Sequence, residues 1–133
     1  MTDENGALTE HAKMLIGGLC NYAPSLTGFG NMVTASYLRL VPHQEAPTRV
    51  CWSEMNRSAL IRVPLGWNNL SNLASVVNDC PVEPLEKRLY RQTVEIRSPD
   101  GSANAHLLLS GITMAAEWGL SNKEKSLDIA KNS

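Results

Sequence analysis

The chain has 133 residues, 43% of them hydrophobic, and a formal net charge of -1. That length suits one domain with a core of its own, and the near-neutral charge supplies no global drive toward nucleic acid or an anionic membrane surface. No apolar run approaches the roughly 20 residues of a membrane span. The start, MTDENGALTE, lacks the basic-then-apolar pattern of a signal peptide, so a cytoplasmic protein is expected. Cys20, Cys51 and Cys80 are too widely spaced for a zinc site or a paired disulfide framework and read as reduced, buried thiols.

In chain order, Thr9 is placed to cap a helix whose apolar residues Ala12, Leu15, Ile16 and Leu19 recur at helical spacing, with Glu10 in the first turn. Gly17 and Gly18 inside it imply close approach by a neighbouring element or an early end. Pro24 suits the start of a second short helix that Gly28 and Gly30 stop, and Asn31 is a candidate cap for a third piece, Met32 to Leu38. From Thr48 the period changes. Val50 and Trp52, then Leu60 and Ile61, read as two antiparallel strands joined by a loop carrying Asn56 and Arg57. A small helix is expected around Leu70, Leu73, Ala74 and Val77. The strand Thr93 to Arg97 alternates, with Val94 and Ile96 on one face and Thr93, Glu95 and Arg97 on the other. Asn104 to Gly119 is apolar over most of its circumference, which predicts a helix buried on several sides, and 121–133 reads as a polar, frayed tail. Helices bracketing an antiparallel sheet give an α+β domain spanning 1–133.

The chemistry-bearing residues fall into two stretches, Ser36 to Pro64 and Thr93 to Asn104. Planar guanidinium groups pair with carboxylate and phosphate oxygens, so Arg39, Arg57, Arg62 and Arg97 suit an anionic amino acid and a triphosphate, and a glutamate among them stays ionised. By composition alone, scattered Arg and Glu on strands are solvated faces with weak surface ion pairs.

The order of the motifs points elsewhere. Tyr37-Leu38-Arg39-Leu40-Val41-Pro42 followed by Glu45-Ala46-Pro47, then Asn56-Arg57-Ser58-Ala59-Leu60-Ile61-Arg62-Val63-Pro64, then Val94-Glu95-Ile96-Arg97-Ser98-Pro99-Asp100-Gly101-Ser102-Ala103-Asn104, resembles signature segments of the glutamine synthetase catalytic domain. That family joins ammonia to glutamate using ATP. The resemblance implies that Arg39 and Arg97 hold substrate carboxylates, that Glu45 closes over the γ-glutamyl phosphate and helps remove a proton from ammonium, that Arg57 stabilises the transferred phosphoryl group, that Arg57 and Arg62 contact ATP, and that Glu95 binds metal. It also implies ATP with Mg2+ or Mn2+ as cofactors, glutamate and ammonia as substrates, and a homo-oligomer. Phosphoryl transfer relies on positioning and charge neutralisation, which is why arginines and metals recur in such sites.

Departures from the family pattern are His43 in place of its usual glycine, Thr93 in place of an arginine, with Arg91 two residues earlier on the same strand face, and Ala105-His106 in place of Pro-Tyr. His106 has no second histidine nearby and is not read as a metal ligand. The stretch 66–90 is expected to be a surface insertion, and 42–47 an exposed, mobile loop. The resemblance covers only part of a full synthetase, so the chain is expected to be an incomplete catalytic domain, inactive by itself. Two alternatives stand beside it: a non-catalytic, self-assembling module of the same fold, or part of a related γ-glutamyl-amine ligase.

Overall fold

Thr9 caps α1, Glu10–Asn21, by accepting the Ala12 amide at 3.2 Å, and Glu10 in the first turn pairs with Lys123 at 2.7 Å. The computed structural model describes residues 1–3, 7–64 and 93–133. The helix expected around Leu70–Val77, the 66–90 insertion, Arg91 and Cys80 lie outside the described residues. α2, Ala23–Gly30, begins with Pro24 in its first turn, and α3 is the single turn Thr34–Tyr37. The third helix is thus shorter than expected, and Asn31 is not its cap. The side chain of Asn31 instead donates to the carbonyls of Thr27 and Ser98.

Three short strands follow: β1, Trp52–Glu54; β2, Ile61–Val63; and β3, Glu95–Ile96, ordered β1-β2-β3. β2 and β3 are antiparallel, but β1 and β2 run parallel, correcting the expected hairpin: Trp52 faces Ile61 and Glu54 faces Val63. The connection 55–60 reverses twice. Met55 adopts a positive φ of 59°, and Asn56 Oδ1 accepts from both the amide (2.9 Å) and the hydroxyl (2.7 Å) of Ser58, a local turn that sends the chain back before β2 starts.

Asn104 accepts the Leu107 amide at 3.1 Å and starts α4, Ala105–Ser121. The segment read as a frayed tail is a fifth helix, α5, Lys123–Asn132. It is held by tertiary contacts its own sequence does not advertise: Ser126 Oγ donates to the Met14 carbonyl at 2.5 Å and Trp52 Nε1 to the Ala130 carbonyl at 2.5 Å.

α1 lies between α4 and α5. A Cβ on Gly17 would sit 2.0 Å from the Ser126 carbonyl, and one on Gly18 would sit 2.2 Å from that of Ala115, so both glycines are where helix backbones touch. One apolar cluster joins Ala12, Ile16 and Leu19 of α1 with Leu26, Leu60, Ile61, Val63, Ala115 and Ala130. α4 is buried along one side only. Its Ala115 and Gly119 are covered, while Leu107, Leu109, Met114 and Leu120 stay exposed, correcting the expectation of burial on several sides. The described residues contain no helix long and apolar enough to cross a membrane.

Candidate functional site

Alternation along β2 buries Ile61 and Val63 and turns Arg62 to the opposite face. The antiparallel register sets Glu95 opposite Arg62, and Ile96 opposite Ile61 on the core side. Arg62 Nη2 lies 2.5 Å from Glu95 Oε2, and Arg97 Nε lies 3.7 Å from Glu95 Oε1, so one carboxylate bridges two guanidinium groups. The Glu95 side chain is 40% exposed, so such contacts stabilise the fold by no more than about 1 kcal/mol and an incoming anion can displace them.

On this face Arg62, Glu95 and Arg97 meet Arg57 and Ser58 from the 55–60 connection and Pro42, His43, Gln44, Glu45 and Ala46 from the preceding loop, around an open cleft of about 590 Å³. The loop rests on the strand through Arg97 Nη2, which donates to the Glu45 carbonyl at 3.4 Å. Two buried donors, Arg62 Nε and Arg97 Nη1, have no hydrogen-bond partner. Buried guanidinium nitrogens left open beside a cleft are what an anionic ligand would satisfy.

Glu45, Arg57, Arg62, Glu95 and Arg97 therefore share one cleft, whereas Arg39 does not line it. Its Nη2 donates to Asn31 Oδ1 at 2.8 Å and to the Ser98 carbonyl, and its Nε lies 3.6 Å from Asp100 Oδ2. Asp100 is pushed down to about 2, chiefly by hydrogen bonds from Ser102 and Ser36 and further by the Arg39 charge. Sequence reasoning missed this cluster, although Asp100-Gly101-Ser102 is a turn signature in which the aspartate binds the backbone two residues on. His106 is exposed at the start of α4.

A divalent metal fits this set poorly. No group of three or more His, Cys, Asp or Glu side chains converges among the described residues, and both oxygens of Glu95 face arginines. Cys20 and Cys51 are free, and burial raises the Cys20 thiol.

Residues 1–132 match the family model described as glutamine synthetase, catalytic domain. The chain is 41% identical over 125 residues to the glutamine synthetase of Mycobacterium bovis, covering 92% of this chain and 22% of that protein. It is 40% identical over 118 residues to that of Frankia alni, covering 89% and 21%, and 39% identical over 123 residues to that of Streptomyces filamentosus, covering 91% and 22%. The chain thus spans little more than a fifth of the length of these curated relatives, 21% to 22%.

Proposed function

The chain belongs to the glutamine synthetase family, as a stretch of its catalytic domain, and from that premise we propose that its cleft binds the anionic groups of an ATP-dependent ligation of ammonia to glutamate. The observation that carries this reading is the convergence of Arg57, Arg62 and Arg97 on one cleft with two buried guanidinium nitrogens still open. Arg57 and Arg62 neutralise phosphate oxygens of ATP, and Arg57 also steadies the phosphoryl group in transfer. Arg97 holds a carboxylate of glutamate, and Glu45, on a loop with Pro42–Glu45 exposed, closes over the site and accepts a proton from ammonium. Arg39 would reach a substrate only by giving up Asn31, Ser98 and Asp100. When bound, Mg2+ or Mn2+ supplies charge neutralisation to phosphate oxygens. Beyond Glu95, its ligands would come from outside the described residues. A cytoplasmic setting, which keeps Cys20 and Cys51 reduced, agrees with this reading.

The 133-residue polypeptide alone is expected to make no glutamine, because among the described residues Glu95 stands without further metal-ligating groups, one carboxylate cannot preorganise a metal, and losing that metal forfeits several kcal/mol of transition-state stabilisation. A γ-glutamyl transfer assay with Mn2+ tests this: turnover above background overturns it. Calorimetric titration with ATP tests the cleft itself. Weak binding that drops about tenfold in both Arg57→Ala and Arg62→Ala supports the reading, and binding indifferent to both refutes it. The exposed apolar residues on the flanks of α4 favour a second reading, a non-catalytic, self-assembling module of this fold; a γ-glutamyl-amine ligase remains the alternative in which only the acceptor amine differs.

A further inference from the structure

We propose that Asp100 is a positioning residue for the cleft, acting with Asn31 and Arg39 to hold Ser98 and, through the adjoining backbone, Arg97. The functional part of this inference rests on the cleft binding anions; the positional part does not.

The turn after β3 is fastened to the elbow after α2 along its whole length. The Ser98 carbonyl accepts from Asn31 Nδ2 at 3.0 Å and from Arg39 Nη2, the Asp100 amide donates to the Gly30 carbonyl at 3.0 Å, and the Asn104 amide donates to that of Phe29 at 3.2 Å. Gly30 permits this seat, since a Cβ there would lie 2.8 Å from Pro99 Cβ. Asp100 joins the two sides. Its Oδ1 accepts from the amide (2.8 Å) and hydroxyl (2.6 Å) of Ser102, and its Oδ2 faces Arg39. The Ser102 hydroxyl in turn accepts the Met32 amide at 3.0 Å and meets Ser36 Oγ at 3.0 Å. Asn31, Ser36 and Ser98 are buried at 2%, 3% and 1% exposure, so these bonds are shielded from competing water.

This cluster stands behind two walls of the cleft at once. Ser98 follows Arg97, and Arg39 lies three residues before Pro42, where the Glu45 loop starts. Arg97 closes the circuit by donating to the Glu45 carbonyl. Side chains that orient ligand-contacting groups in this way typically matter by tenfold or more when removed.

The sign of the effect separates positioning from simple electrostatics. Removing a negative charge would tighten anion binding if charge alone mattered, whereas losing the clamp weakens it. The test follows the Arg97 Nε–H group by 15N heteronuclear NOE without ligand, together with titration by inorganic pyrophosphate. In Asp100→Asn, Arg97 Nε is expected to become mobile and pyrophosphate affinity to fall about tenfold. Ser102→Ala, which keeps the charge and removes the hydroxyl, should shift both in the same direction, and gives the readout if Asp100→Asn does not fold. A core variant, Ile16→Val, is the control, expected to lower stability without freeing Arg97. An Arg97 NOE unchanged in both variants overturns the proposal, as does equal or tighter pyrophosphate binding. If Arg97 is mobilised but the unmodified chain binds no pyrophosphate, the positioning role stands and the anion reading falls.

Discussion

At the scale of single residues, Asp100 predicts how the fold responds to acid. Its carboxyl titrates at about 2 in the folded chain against an ordinary 3.8, so the folded state favours its ionised form. A carboxylate lowered by folding stabilises the protein fully above its unfolded value and loses that contribution as pH falls toward the folded one. The stability difference between the natural chain and Asp100→Asn should therefore be constant above about pH 4 and shrink between about pH 4 and pH 2, measured by urea unfolding at each pH. A difference that persists unchanged at pH 2 would assign the effect of Asp100 to packing instead. His43 makes a second case, with a φ of 69°. L-residues occupy that region at a cost of about 1 kcal/mol, so His43→Gly should keep or raise stability by up to about that amount. A loss would mean that the imidazole makes contacts worth more than the backbone strain.

At the scale of elements, glycine placement sets how closely the helices pack. In Gly18→Ala the new methyl meets the Ala115 carbonyl, and α1 and α4 must separate, at a cost of about 1–3 kcal/mol. Gly28 in α2 has nothing within 4 Å of its would-be Cβ, so Gly28→Ala should gain up to about 1 kcal/mol from helix propensity. Opposite signs in one denaturation series would support the described approach of α1 to α4. A neutral Gly18→Ala would show that the helices stand further apart.

At the scale of the whole molecule, exposed Leu107 and Met114 lie along one flank of α4 and Leu109 and Leu120 along the other, leaving apolar surface that water covers poorly. The 133-residue chain is expected to self-associate through it, and Leu109→Lys with Met114→Lys should shift the light-scattering mass toward that of one chain. A monomer at high concentration without these changes would exclude the surface as a contact.

What the sequence determined alone is what short-range physics controls. The Thr9 cap, the helical character of α1 and α4, the alternation that turns Glu95 away from Ile96, and the family signatures around Arg57, Arg62 and Arg97 each depend on residues within a few positions of one another. Only the tertiary structure decided the rest. The parallel pairing of β1 with β2 follows from a double reversal that residue types at 55–60 do not distinguish from a hairpin. α5 fully buries only the small Ser126 and Ala130, with Ile129 half-buried against the core, a short stripe that does not predict packing without the Gly17 groove and the Met14 carbonyl that receive it. Arg39 was legible as an anion-binding residue by type, but its partners Ser98 and Asp100 stand 59 and 61 positions away, and the choice among competing oxygens is made where the chain brings them together.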